Sequence, residues 1–181
     1  MRTCPWWLTW TFDNPIRRLV HDPHRMLEPY VVEGTRVADV GCGMGYFTVE
    51  MARLVGSAGE VQAVDVQPQQ LRAAERRCRR AGVAGRVRFV EASAGSLGLT
   101  GPVDFVLAFW MVHEVTGLDS FFEQLKTVTE AGARVLVVEP MFHVSREAVE
   151  AQMTLAAAHG FAGAMHDGAV RFSWAFELER V

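Results

Sequence analysis

The chain has little cysteine, no long apolar run and no excess of positive charge. Its three cysteines, Cys4, Cys42 and Cys78, include no CxxC pair, and any disulfide scheme leaves one thiol over. That pattern argues against a disulfide framework and against a metal–thiolate site, so no metal is expected and a reducing, intracellular setting is. No apolar stretch approaches the ~18 residues that a membrane span needs, so no membrane partner is expected. The opening MRTCPWWLTWTFDNP is apolar only briefly, contains Pro5 and lacks a small-residue cleavage site, which does not read as a secretion signal. The expected location is cytoplasmic. The formal net charge is −3; binding to a phosphate backbone is driven by clustered cations, so no nucleic-acid partner is expected.

What is present is a globular composition, 50% hydrophobic and 22% charged over 181 residues, enough for one domain with a real core. From Arg36 onward short β-branched runs alternate with amphipathic helical patterns, the signature of a parallel sheet covered on both faces. Strands are expected at 37–40, 61–64, 87–90, 103–109 and 134–138. A helix opens at Gly45, with Phe47, Met51, Leu54 and Val55 on its apolar side and Gly56 at its end. A second starts at Pro68, repeats through Leu71, Ala74, Cys78 and Ala81, and stops at Gly82. A third carries Phe121, Phe122, Leu125 and Val128, with Asp119 placed to cap its start and Gly132 its end. Ser145 caps a fourth running to about His159. Asp167-Gly168 then marks a hairpin turn, after which Phe172, Trp174, Phe176 and Leu178 share one face of the last strand.

The expected fold is therefore α/β: a single Rossmann-like, doubly wound sheet of about seven strands, mostly parallel, with a C-terminal antiparallel hairpin. One domain spans 1–181. Within it, 36–181 is the core and 1–35, broken by Pro15, Pro23 and Pro29, is a helical appendage or lid on the ligand edge of the sheet.

The chemistry concentrates in VADVGCGMGYFT, where a strand ends at Asp39-Val40 and turns through Gly41, Gly43 and Gly45 into a helix. Glycine at alternating positions lets backbone approach a ligand with no side chain between, at the carboxyl edge where open parallel sheets bind ligands. The dinucleotide fingerprint GxGxxG would need its third glycine where Tyr46 stands, which disfavours the alternative of an NAD(P)-dependent oxidoreductase. Asp65 ends the second strand about 20 residues beyond the glycines, where a carboxylate can accept from both hydroxyls of a ribose.

The run Asp39 to Gly45 resembles the first motif of class I S-adenosylmethionine-dependent methyltransferases. The resemblance covers about 36–181. It implies S-adenosyl-L-methionine as cofactor, S-adenosyl-L-homocysteine as product, and in-line displacement of the methyl group onto a small or medium-sized acceptor. It further implies cofactor contacts from Asp39, Gly41, Cys42, Gly43, Gly45 and Tyr46 on the first turn, and from Asp65 and Val66 on the second. After the third strand the family often has an acidic residue for the adenine; here Ala92 and Ser93 stand at those positions, a departure from the pattern, and both are expected to contact the cofactor without the usual carboxylate interaction. In LAFWMVHEVTG, Phe109 is expected at the cofactor, and Trp110 and His113, with Phe12 from the amino terminus, at the acceptor. His113 is the candidate general base, since an imidazole titrates near neutrality. A non-catalytic cofactor-binding module is a further alternative, and the assembly is expected to be a monomer or homodimer. The arginines near the second helix read as a solvated face, with Glu75 spaced to pair with Arg79.

Overall fold

The structure is a computed structural model and describes residues 20–93, 95–166 and 170–181. Phe12, Cys4 and the Asp167-Gly168 turn lie outside the described residues.

The first element among the described residues is α1 (Pro23–Leu27), started by the Asp22 side chain, which accepts from the backbone of His24 and Arg25, and by Pro23 at its first position. The core follows as β1 (Arg36–Val40), α2 (Tyr46–Leu54), β2 (Glu60–Asp65), α3 (Pro68–Arg80), β3 (Val87–Glu91) and β4 (Val103–Phe109). It closes with α4 (Leu118–Val128), β5 (Thr129–Pro140), α5 (Arg146–Ala158), β6 (Phe161–Met165) and β7 (Ser173–Arg180).

The seven strands form one sheet in the order β3-β2-β1-β4-β5-β7-β6. The first five strands pair in parallel, and β7 runs antiparallel to both of its neighbours. Central strands covered on both faces must be apolar along their whole length, which is why Val37, Ala38 and Val40 of β1 and Phe105 to Phe109 of β4 are all buried. On one face they meet Leu27 and Val31 of the amino-terminal strap, Phe47 and Met51 of α2, and Val55 just after it. On the other they meet Phe121, Phe122 and Leu125 of α4 and Val149 and Ala156 of α5. Each fully buried Phe or Leu here contributes roughly 1.5–3 kcal/mol.

Three expectations are corrected. Helix α4 is started by Gly117 at φ 92°, and Asp119 sits within the first turn, where it pairs with His159 at 3.0 Å. Gly132 does not end that helix: β5 begins directly at Thr129, pairs Thr129 with Val103, then shifts register to pair Arg134 with Phe105. The left-handed backbone of Gly132, at φ 86°, falls in that irregular stretch, where its missing Cβ removes the strain. Phe172 also leaves the face expected for it, standing before β7 at φ 58° and 64% exposed.

Candidate active site

The strand order reverses at β1, which has β2 on one side and β4 on the other, and such a switch point opens a crevice at the carboxyl ends of the strands. A cavity of about 150 Å³ lies there. Gly41 and Gly43 line it from the turn after β1, Asp65 and Val66 from the end of β2, Ala92 from beyond β3, and Trp110 and Met111 from beyond β4.

The turn after β1 is held to β2 by the backbone N–H groups of Gly41 and Cys42, which both donate to the Val64 carbonyl at 2.8 and 2.9 Å. Gly41 and Gly43 are both left-handed, at φ 75° and 52°. Their surroundings differ. A Cβ on Gly41 would stand 2.8 Å from the Met111 side chain, so this glycine lets the turn press against the end of β4, whereas a Cβ on Gly43 would meet nothing within 4 Å. Gly43 therefore leaves room for a ligand to lie on bare backbone.

Asp65 faces that room. Its Oδ2 accepts from the Gly43 N–H at 3.0 Å and its Oδ1 from the Gln67 N–H at 2.8 Å. Burial pushes its carboxyl pKa up from the usual 3.8, against the backbone N–H groups of Gln67, Gly43 and Val66 that pull it down. A carboxylate stripped of water in this way gains from any further donor, and a pair of adjacent hydroxyls supplies two.

The remaining residues singled out in the sequence take other places. Asp39 is buried beneath the turn and accepts from the Thr48 hydroxyl at 2.5 Å, fastening α2 to β1. Cys42 is buried, and burial pushes its thiol well above the usual 9.0, which leaves it a packed thiol and no nucleophile. Gly45 starts α2 against Ala74. The Tyr46 hydroxyl donates to the His21 carbonyl at 2.8 Å, and Phe109 is 7% exposed between the His21 and Phe47 rings. Ser93, beside Ala92, forms a bridge with Ser96. Gln67, Gln70, Met111, Glu114 and Val115 also line the cavity, and no spacing rule pointed to them. Trp110 reaches it with a left-handed backbone, φ 55°, while its indole N–H donates to the Ser173 hydroxyl at 3.0 Å.

Beyond Trp110 lies a second group of side chains. Glu139, at the end of β5, is fully buried; its Oε2 lies 2.7 Å from Nδ1 of His113, and its Oε1 accepts from the Gln152 side chain at 3.1 Å. Nε2 of His113 stands 3.2 Å from Nε2 of His143, which is exposed on the turn after β5. The His113 pKa is raised above its usual 6.5: burial lowers it, but the hydrogen bond to Glu139 and the charges of Glu139 and Glu114 outweigh burial. The sequence singled out His113 alone, because its partners come from a different strand and a different turn. Among the described residues no group of three His, Cys, Asp or Glu side chains could hold a metal ion. No helix among them is long and apolar enough to cross a membrane.

The family model described as "Methyltransferase domain" matches residues 32–169. The ubiquinone/menaquinone biosynthesis C-methyltransferase of Azotobacter vinelandii is 32% identical over 123 residues, 64% of this chain and 49% of that protein. The protein of the same name from Pasteurella multocida is 32% identical over 123 residues, 64% of this chain and 46% of that one. The chain thus spans about half the length of these curated relatives. Among solved structures, a SAM-dependent methyltransferase from Aquifex aeolicus superposes with a TM-score of 0.87 at 22% identity, covering 99% of this chain and 100% of that one, a likeness of fold. The glycine turn, the acid at the end of β2, the sheet order and the family match agree: the chain belongs to the methyltransferase-domain family, in the class I group that uses S-adenosylmethionine.

Proposed function

We propose that the protein moves the methyl group of S-adenosylmethionine to a small organic acceptor that gives up a proton in the step. The observation that carries this reading is the meeting of bare Gly43 backbone and the desolvated Asp65 carboxylate on one wall of a cavity that Trp110, Met111 and Glu114 also line.

The residues fit the cofactor. Open space stands where a Cβ of Gly43 would be, and Asp65 has lost water that a ribose diol would replace. Asp65 and Val66 would hold the ribose side, Ala92 the adenine side, and Gly41 and Gly43 the stretch between. The cofactor supplies an activated methyl group on a sulfonium. Trp110 and Met111 exclude water from that end, and an indole face attracts a cation.

On the acceptor side the chain supplies apolar surface and a base. Met141 and Phe142 are 43% and 62% exposed, and the Phe142 ring meets Trp110 edge-on at 5.6 Å, a rim that suits an apolar organic molecule. His113, oriented by Glu139, is the residue on which the acceptor's proton comes to rest. A raised imidazole pKa means that the base is protonated and idle at low pH, so the rate rises with pH through a midpoint above 6.5. The names of the curated relatives, C-methyltransferases of ubiquinone/menaquinone biosynthesis, support a small organic acceptor over a macromolecule. The net charge of −3 supports the absence of a nucleic-acid partner, and the three scattered cysteines support a cytoplasmic location. We also propose that residues 1–35, with Phe12, serve as the lid of the acceptor side, in a monomer or homodimer.

The test is calorimetric titration of the purified protein with S-adenosylhomocysteine and with NAD. Selective binding of S-adenosylhomocysteine is expected, and preference for NAD would overturn the reading.

A further inference from the structure

We propose that Glu139, His113 and His143 form a three-membered proton chain, and that His143, at its open end, receives the proton from an acceptor bearing an aromatic hydroxyl. The choice of reaction rests on the methyl-transfer reading above; the chain itself rests on geometry.

Glu139 fixes the first hydrogen. A carboxylate only accepts, so the His113 nitrogen 2.7 Å from Oε2 carries a hydrogen, and in the neutral ring its other nitrogen, Nε2, is bare. That bare Nε2 lies 3.2 Å from Nε2 of His143. Two imidazole nitrogens at this distance need one hydrogen between them, and only His143 can supply it. Neutral His143 therefore turns its lone pair outward on Nδ1, which has no hydrogen-bond partner among the described residues. The buried carboxylate thus sets the tautomer of a ring that it does not touch.

The arrangement also says which nitrogen can act. Both nitrogens of His113 are engaged, one by Glu139 and one by His143, so Nδ1 of His143 is the free base. It follows Met141 and Phe142 on the same turn; Phe142 touches both Trp110 and the His143 ring, and Trp110 lines the cavity. An aromatic acceptor resting on Phe142 brings its hydroxyl to His143. As the acceptor oxygen bonds to the methyl carbon, the pair of the sulfur–carbon bond stays on sulfur and the hydroxyl proton goes to His143 Nδ1. The Nε2 proton of His143 then moves to Nε2 of His113, and the positive charge comes to rest against Glu139. The charged groups facing His113 are Glu139 from β5 and Glu114 from the turn that carries His113, while α5 contributes the neutral Gln152. Both charges favour protonated His113. The pair belongs to no cluster of three His, Cys, Asp or Glu side chains among the described residues that could hold a metal ion.

The test is nitrogen NMR of histidine-labelled protein across a pH titration. The expected result is His113 protonated on Nδ1, with a midpoint above 6.5, and His143 protonated on Nε2 with Nδ1 bare. Reversed tautomers, or one-to-one capture of added zinc by the two rings, would overturn the chain. A second arm compares the protein with the variant His143→Gln, which keeps a donor near Nε2 and has no base at Nδ1, using labelled cofactor and a panel of simple phenols and catechols. A fall in kcat of about 10²-fold or more, with a flattened pH profile and little change in KM, is expected. Equal rates, or no phenol methylated, would overturn the assignment. S-adenosylhomocysteine binding by the same sample separates the two failures: no binding sinks the methyl-transfer reading, whereas binding with the wrong tautomers sinks the proton chain alone.

Discussion

The proposed cofactor side of the crevice is made largely of backbone from short, contiguous stretches after β1 and β2, whereas the proposed acceptor side is made of side chains that arrive from β4, β5 and the turn beyond. On the first side a glycine supplies the surface by having no side chain, and one carboxylate, Asp65, supplies the charge. On the second side Glu139, His113 and His143 depend on one another in series, across separations of 26 and 30 residues. The lesson concerns robustness. Backbone surface tolerates change in most neighbouring side chains, while a serial chain fails at its first missing member.

The sharpest way to break this contrast is the variant His113→Asn, whose amide can still donate to Glu139 but offers no counterpart of Nε2. We expect kcat to fall by about 10²–10⁴-fold, the usual range for losing a general base, with S-adenosylhomocysteine affinity little changed. Kinetics and calorimetry on the same sample check this. Asp65→Asn is the mirror experiment and should weaken S-adenosylhomocysteine by about a hundredfold, with little effect on the His113 titration. It carries a second expectation with a definite sign. Because burial raises the Asp65 pKa in the folded state, its ionisation disfavours the fold, a penalty absent below the usual 3.8 and complete once the pH exceeds the raised value. The unliganded variant should therefore be at least as stable as the parent near neutrality, which thermal melting tests.

Glu139→Gln sharpens the comparison further. Protonation of His113 stabilises the fold, a contribution fully present below 6.5 and lost as the pH rises through its raised pKa. Removing the Glu139 charge should move the kinetic midpoint down toward 6.5 and cost about 1–3 kcal/mol through imperfect pairing of a buried polar group. On the cofactor side, Gly43→Ala places a methyl group in the cavity at a left-handed residue. The strain is about 1–2 kcal/mol, and S-adenosylhomocysteine should bind roughly tenfold more weakly, as calorimetry would detect.

The same division explains what the sequence revealed. The glycine turn, Asp65 and the sheet were legible because each is encoded by neighbouring residues: alternating glycines, an acid at the end of a strand, β-branched runs between amphipathic helices. The Glu75–Arg79 pair was legible from its spacing and is present at 2.5 Å. The start of β5 was not, since TEAGAR reads as a turn and becomes strand only by pairing beside β4. Nor was the start of α4, where Gly117 rather than Asp119 turns the chain. His113 could be named as a titratable residue near a strand end. Its partners could not, because nothing local in VVEP or MFHVS says that Glu139 is buried and that His143 lies against the same ring.

The most direct test of the account is a crossed calorimetric titration of S-adenosylhomocysteine into the parent, Asp65→Asn and His113→Asn. The account predicts that binding collapses in the Asp65 variant alone and stays near the parent value in the His113 variant. Equal losses in both, or undiminished binding after Asp65 is changed, would contradict the claim that one carboxylate and one bare turn hold the cofactor independently of the imidazoles beside them.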